Sequence, residues 1–266
     1  MIVTWLGHAS LFLNAAGKTL LVDPWFIEPV DGKYRFPPPP YAVANAMPRP
    51  DFLLLTCARN EHASEATLSQ LKRDTVTLAA PEVLPRLSAL QFNKVKPQEP
   101  WSSTSLSPGL SVTFVPGGAF VVEADDVRLF HGGDAALSAD DFREVARRAG
   151  PIDMAFLPFT ADDKQRGLQR FFDGIVGLQA KEAAPFASGW LRLENVDSHF
   201  AQRATHAEAL AAAMKLAHEN GTHLAHLQSG DEWSPETGAI NKGLVDGWSE
   251  DVASLHRYAA QLSRAS

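Results

Sequence analysis

The chain has 266 residues, 45% of them apolar, and a formal net charge of −7 with acidic and basic residues interspersed. That length can bury a full core, and the charge supplies no cationic face for a phosphate backbone, so nucleic acid is not an expected partner. No apolar run reaches the roughly 20 residues of a membrane helix, MIVTWLGHAS lacks the basic start and long apolar middle of a signal peptide, and the lone Cys57 excludes an internal disulfide; a cytoplasmic protein without a membrane span is expected.

The predicted elements begin with three apolar runs at 2–6, 10–13 and 19–22, broken at NAAGK, where Asn14 and Gly17 permit a turn; this is a meander or hairpin. The prolines of YRFPPPPYAVANAMPRP remove backbone donors and restrict the residues before them, which predicts a long ordered loop. Trp25, Phe26, Tyr34 and Phe36 flank it and either wall a substrate pocket or anchor the loop. DFLLLT then reads as a strand, SEATLSQLK as a helix, VTLAA as a strand and PEVLPRLSAL as a short helix. LSVTFVP, AFVVEADDVRLFHGGD and IDMAFLPF supply further strands, the middle one folded on the turn EADD. The second half turns helical in GLQRFFDGIVGLQA and ATHAEALAAAMKLAHENG, the latter stopped at Gly221. No repeat or linker interrupts the chain, so a single α/β domain over residues 1–266 is expected, with 236–266 as a helical extension.

In DFLLLTCARNEHAS, residues 51–64, an apolar strand empties into a thiol, a guanidinium, a carboxylate and an imidazole. A strand, a threonine and a block ending in an acidic residue and a histidine resemble the HxHxDH signature of the metallo-β-lactamase superfamily. VTWLGHASLFLNAAGKTLLVDPW resembles the opening of its branch containing the ascorbate-phosphate lactonases and N-acyl phosphatidylethanolamine phospholipases. RLFHGGD is similar to the strand that delivers the family's metal-bridging aspartate, and IDMAFLPF to the strand after it. PFASGWLRLENV and LQSGDEW look like the C-terminal part of relatives of the sialic-acid hydroxylase lineage. The resemblance covers most of residues 1–235. It implies a four-layer αββα sandwich with a pocket where residues 57–62, 117–119 and 134 converge, and a hydrolase-like or diverged biosynthetic activity on a small polar or anionic substrate.

Laid on the family's signature, Cys57 and Arg59 stand in place of its first two histidines, Glu61 in place of the aspartate, and His62 matches the last histidine. The next histidine should follow FVP, where GGA stands at 117–119; Asp134 matches the bridging aspartate, and the late ligand slot falls at Asp231, with His226 nearby. The three histidines of the first metal are thus replaced, and a guanidinium cannot ligate because it has no lone pair and stays charged. Glu61, His62, Asp134 and Asp231 form an oxygen-rich set suited to one Zn, Mn or Fe ion, opposed by the fixed charge of Arg59 beside it. The reading preferred on these residues is that no cofactor is bound and Arg59 ion-pairs with Glu61 and Asp134 in the metal's place; one divalent ion is the alternative, and a dinuclear centre is not expected.

Without metal, Arg59 would hold a phosphate or carboxylate, and His62, oriented by a carboxylate, would act as general acid or base. Cys57 would serve as a nucleophile if Arg59 and an imidazole lowered its pKa; otherwise it is a small buried hydrophobe. His8 and Asp23 match family positions beside the pocket, as orienting or ligand-contacting groups, or else as a turn-bonded imidazole and an Asx turn before Pro24. Strand alternation places His131 opposite Asp134, so it reaches the pocket only if the strand has ended. His199, His206, His218, His223 and His256 have no ligand spacing. Three classes of function remain: an enzyme, a non-catalytic pseudoenzyme binding an anionic ligand through Arg59, and an interaction subunit whose pocket is filled, with a homo-oligomer left open. If substitution alone emptied the first metal site, Arg59→His with Gly118→His restores metal affinity.

Overall fold

Alternation along the strands sorts the apolar residues into three core layers. In β3 (Lys18–Val22), Leu20 and Val22 face one layer and Leu21 another; in β5 (Phe52–Leu55), Leu54 opposes Leu53 and Leu55. In β10 (Phe120–Ala124) and β12 (Met154–Pro158), Phe120, Val122, Met154 and Phe156 join Leu20, Val22 and Leu54, while Val121, Ala155 and Leu157 turn away. Two sheets buried on both faces are the consequence, and their strands read as continuous apolar runs. The computed structural model describes residues 1–26, 33–35, 49–159, 164–186, 190–192, 211–227 and 229–240.

The first sheet runs β17 (Gly238–Ile240), β16 (Glu232–Ser234), β1 (Ile2–Gly7), β2 (Ser10–Ala15), β3, β5, β6 (Val76–Ala79), β7 (Val95–Pro97). The second runs β15 (His223–Leu224), β13 (Glu182–Phe186), β12, β11 (Val127–His131), β10, β9 (Leu110–Phe114), β8 (Ser103–Ser107). Both are mixed: β1, β2 and β3 are antiparallel while β3, β5, β6 and β7 run parallel, and β9, β10 and β11 are antiparallel while β11, β12 and β13 run parallel. α1 (Glu65–Ser69) and α2 (Leu84–Ala89) cover the outer face of the first sheet through Leu68 and Leu87. α3 (Ala139–Ala149), α4 (Lys164–Leu178) and helical residues 211–219 cover the second through Phe142, Val145, Phe171, Ile175, Ala213 and Ala217. This is the expected four-layer αββα sandwich. No helix among the described residues is long and apolar enough to cross a membrane.

Three readings need amendment. α3 was not predicted, because ADDFREVARRA is mostly charged; two buried side chains, Phe142 and Val145, and a capping box between Ser138 and Asp141 suffice to hold it. The extension over 236–266, expected to be helical, opens with strand β17 instead, since Ser234 and Thr237 hydrogen-bond around Pro235 and Gly238 takes a φ of +66°, closing a hairpin onto β16. Residues 241–266 lie outside the described residues, as do residues 36–48 of the proline-rich loop and His199, His206 and His256. Lys33–Arg35, whose last two residues were expected in that loop, forms β4, paired with β14 (Trp190–Arg192).

Candidate active site

The strands β3, β5 and β11 deliver their last residues to one end of the sandwich, where the turn between β1 and β2 and the connection from β9 to β10 also lie. Asp23, just past β3, is fully buried. Its charge is compensated by three donors: the Thr56 N–H reaches Oδ1 at 2.8 Å, and the Thr56 hydroxyl and His62 Nδ1 reach Oδ2 at 2.6 and 2.7 Å. A carboxylate only accepts, so Nδ1 carries the proton and Nε2 is left as the working nitrogen of His62. Burial alone would push the His62 pKa down; the charge and hydrogen bond of Asp23 outweigh it, Asp134 and Glu61 add to them, and the net shift is upward.

Two of the seven described non-glycine residues with positive φ lie here. Asp23 and His8 take φ values of 41° and 50°, a left-handed conformation that residues other than glycine rarely hold. The Trp5 indole donates to the His8 carbonyl at 2.9 Å, and the His8 ring stands edge-on to both Trp25 and His62 with centroids 5.3 Å away. Trp25, weighed as a pocket wall, is 1% exposed and its amide donates to Ser10 Oγ, which in turn donates to the Asp23 carbonyl. Its buried ring stands edge-on to His8.

Residues 57–62 turn tightly, the amides of His62 and Ala63 both donating to the Arg59 carbonyl. From α2, Arg86 braces that turn by donating to the Ala63 carbonyl and to Asn60 Oδ1 at 3.0 Å. Arg59 Nε stands 2.7 Å from Asp134 Oδ2, with the two side chains 63% and 26% exposed. Among the described residues Arg59 pairs with Asp134 and not with Glu61, which is half-buried. Cys57 is buried, and desolvation foremost, with the Asp23 charge behind it, pushes its thiol up to about 12. The nucleophile reading of Cys57 is therefore corrected: at neutral pH the residue is a thiol packed as a small hydrophobe.

The glycines at 117 and 118, expected where the family's next histidine stands, are held by close packing. Gly117 and Gly118 have φ values of +79° and +92°, and a Cβ on Gly118 would overlap the Thr56 carbonyl oxygen. Gly133, at φ +56°, closes on Thr56 from the other side, with its added Cβ only 3.0 Å from Thr56 Cβ. No side chain fits at 118, so the expectation that Arg59→His with Gly118→His restores metal affinity is withdrawn: the position has been closed by backbone, beyond the loss of a ligand.

The second ligand set does not assemble either. Asp231 is 4% exposed and its carbonyl accepts from the Trp5 amide at 3.0 Å, which sets it beside the end of β1. His226 is exposed. Among the described residues no three His, Cys, Asp or Glu side chains gather as an ion would require. Asp134 is taken by a guanidinium, so an ion on it requires Arg59 to move, whereas His62, with Nδ1 held by Asp23, keeps Nε2 for a proton or a ligand.

His131, offered as a ligand contact, is fully buried between the sheets among Phe120, Phe156 and Phe186. Burial drives its pKa down to about 4 against smaller opposing contributions from Asp23 and Ala9, so the ring is neutral at pH 7. Thr56, Ser10 and Arg86 were not singled out from sequence. Thr56 had a signal in the hydroxyl that ends DFLLLT; an arginine on a surface helix had none.

The family model described as Beta-lactamase superfamily domain matches residues 2–186. A UPF0173 metal-dependent hydrolase of Exiguobacterium sp. is 26% identical over 202 residues, covering 70% of this chain and 84% of that one. One from Pyrobaculum arsenaticum is 25% identical over 169 residues, covering 59% and 71%. Among solved structures, the diiron β-hydroxylase CmlA of Streptomyces venezuelae superposes with a TM-score of 0.65 at 17% identity over 90% of this chain and 54% of that one. The metallo hydrolase Igni18 of Ignicoccus hospitalis does so with 0.64 at 16% over 90% and 98%; at such identities the likeness speaks for the fold. A family match across 2–186, on a sandwich of two mixed sheets with the site at their strand ends, places the chain in the metallo-β-lactamase superfamily.

Proposed function

We propose that the protein is a hydrolase-like enzyme acting on a small polar or anionic substrate without a metal centre. The observation that carries this reading is the Asp23–His62 contact of 2.7 Å beside a solvent-facing Arg59–Asp134 pair. Arg59 offers a planar fork for a phosphate or carboxylate group, which competes with Asp134 for it. His62 Nε2 takes the proton of the attacking water as its oxygen bonds to the acyl or phosphoryl centre, and the imidazolium, stabilised by Asp23, returns that proton to the leaving group. Asp23 itself takes no proton; it orients the ring, holds its tautomer and offsets the imidazolium charge.

Two observations favour other readings. The relatives bear the name metal-dependent hydrolase, which favours one Zn, Mn or Fe ion on Glu61, His62 and Asp134; that requires Arg59 to leave Asp134. Only 3% of His62 is exposed, which favours a non-catalytic protein that binds an anion through Arg59.

Hydrolysis of a panel of lactones, carboxylic esters and phosphoesters, before and after exhaustive chelation, separates the three. Turnover that survives chelation and is lost in His62→Gln supports the proposal. Turnover abolished by chelation and restored by Zn, Mn or Fe(II), in step with metal content by mass spectrometry, overturns it in favour of a one-metal enzyme. A rise in Tm with inorganic phosphate, absent in Arg59→Ala and without turnover on any substrate, overturns it in favour of the binding protein.

A further inference from the structure

His131 closes β11 on the inter-sheet face it shares with Leu129. Its ring lies 11° from the plane of Phe120 at 5.1 Å and 18° from that of Phe186 at 4.7 Å, with Phe156 at 6.5 Å. Packing alone favours another phenylalanine in such a box, because a buried imidazole has two polar nitrogens to satisfy. Both are satisfied, and by the site's own loops: Nε2 is 3.1 Å from the Ala9 carbonyl and Nδ1 is 3.0 Å from the Gly133 amide. A carbonyl only accepts and an amide only donates, so the ring is the neutral tautomer with its proton on Nε2.

The two partners belong to different sheets. Ala9 follows His8 in the turn from β1 to β2, and Gly133 precedes Asp134 in the loop after β11. His8 stands edge-on to His62, and Asp134 pairs with Arg59. We propose that His131 is a positioning residue that ties the Asp134 loop to the His8 turn across the gap between the sheets, and so sets where the Arg59–Asp134 pair stands relative to His62. This goes beyond the hydrolase reading and does not depend on turnover.

Two variants separate the polar brace from the packing. His131→Phe keeps a ring in the box and removes both hydrogen bonds. His131→Gln gives up the stacking but can place an amide oxygen for Nδ1 and an amide nitrogen for Nε2. Amide hydrogen exchange at Gly133 and at residues 8–10 is expected to accelerate about tenfold or more in His131→Phe and to stay within about threefold of the parent in His131→Gln. The Arg59 Nε–H resonance, which reports the contact with Asp134, should move in the first variant and return in the second. In the parent, ¹⁵N spectra should show a slowly exchanging proton on Nε2 and none on Nδ1. The reverse order of the two variants, or a proton on Nδ1, overturns the proposal. Should His131→Phe not fold, rapid exchange at Gly133 in folded His131→Gln overturns it as well.

Discussion

Replacing Gly118 by alanine is expected to cost more than its backbone conformation accounts for. At φ +92° the new Cβ falls well inside 3.0 Å of the Thr56 carbonyl oxygen, a separation real Cβ atoms essentially never show, and 3.0 Å from its carbon. Gly17 provides the reference, because at φ +69° the same added atom meets nothing within 4 Å. Gly17→Ala therefore measures the left-handed penalty alone, about 1 kcal/mol, and both variants change the unfolded chain equally. Gly118→Ala must in addition displace the backbone of Thr56, whose N–H and hydroxyl both bond Asp23. Overpacking of that kind costs about 1–3 kcal/mol, for a total of about 2–4. Urea unfolding of the two variants at unchanged m-value is the assay. Equal losses would refute the close packing of the 116–119 connection on Thr56. The third histidine position would then be open, and Arg59→His with Gly118→His would be expected to gain metal.

The buried His131 makes stability depend on acid: its folded pKa lies near 4 against an ordinary 6.5. The unfolded chain therefore binds a proton that the folded chain refuses. The stabilisation is complete above about pH 6.5 and lost as pH falls toward 4, by about 3 kcal/mol. By urea unfolding, the parent should lose about 3 kcal/mol more than His131→Phe between pH 7 and pH 4, and parallel curves would contradict the burial argument. Cys57, with its thiol near 12, should resist iodoacetamide at pH 8 in the folded protein and react fully in urea. Rapid labelling of the native state would return it to the list of nucleophiles. Asp23→Ala strands the Thr56 amide and the His62 ring in the core and should cost about 3–5 kcal/mol. Asp134→Ala, which breaks a pair whose guanidinium is exposed, should cost at most about 1 kcal/mol by the same denaturant assay.

Much of the sandwich was legible because period-two burial shows directly in apolar runs: the strands at 2–7, 10–15, 18–22, 52–55, 120–124, 127–131 and 154–158 fall where those runs lie. Elements with little apolar content escaped. β8 carries three serines and a threonine in STSLS, and α3 shows two buried apolar residues among charges, so neither announces a period. The site divided along a similar line. Arg59, His62 and Asp134 stood out by residue type against a recurring motif, and the Arg59–Asp134 contact is one the charges themselves call for. For Cys57 and Trp25 the sequence left two readings open, because burial, not residue type, decides whether a thiol ionises or an indole is exposed.

By itself the sequence determined the order and periodicity of the strands, the absence of histidine at positions 57, 59 and 117–119, and the crowding of a thiol, a guanidinium, a carboxylate and an imidazole after one strand. Only the tertiary structure decided which groups meet: Asp23 binds His62 across 39 residues, His131 reaches Ala9 across 122, and Gly118 closes on the Thr56 carbonyl from the opposite sheet. Hydrophobic periodicity assigns a residue to a face but carries no information about which loop from another sheet arrives within 3 Å of it, and at that range hydrogen-bond partners, pKa values and room for a side chain are set.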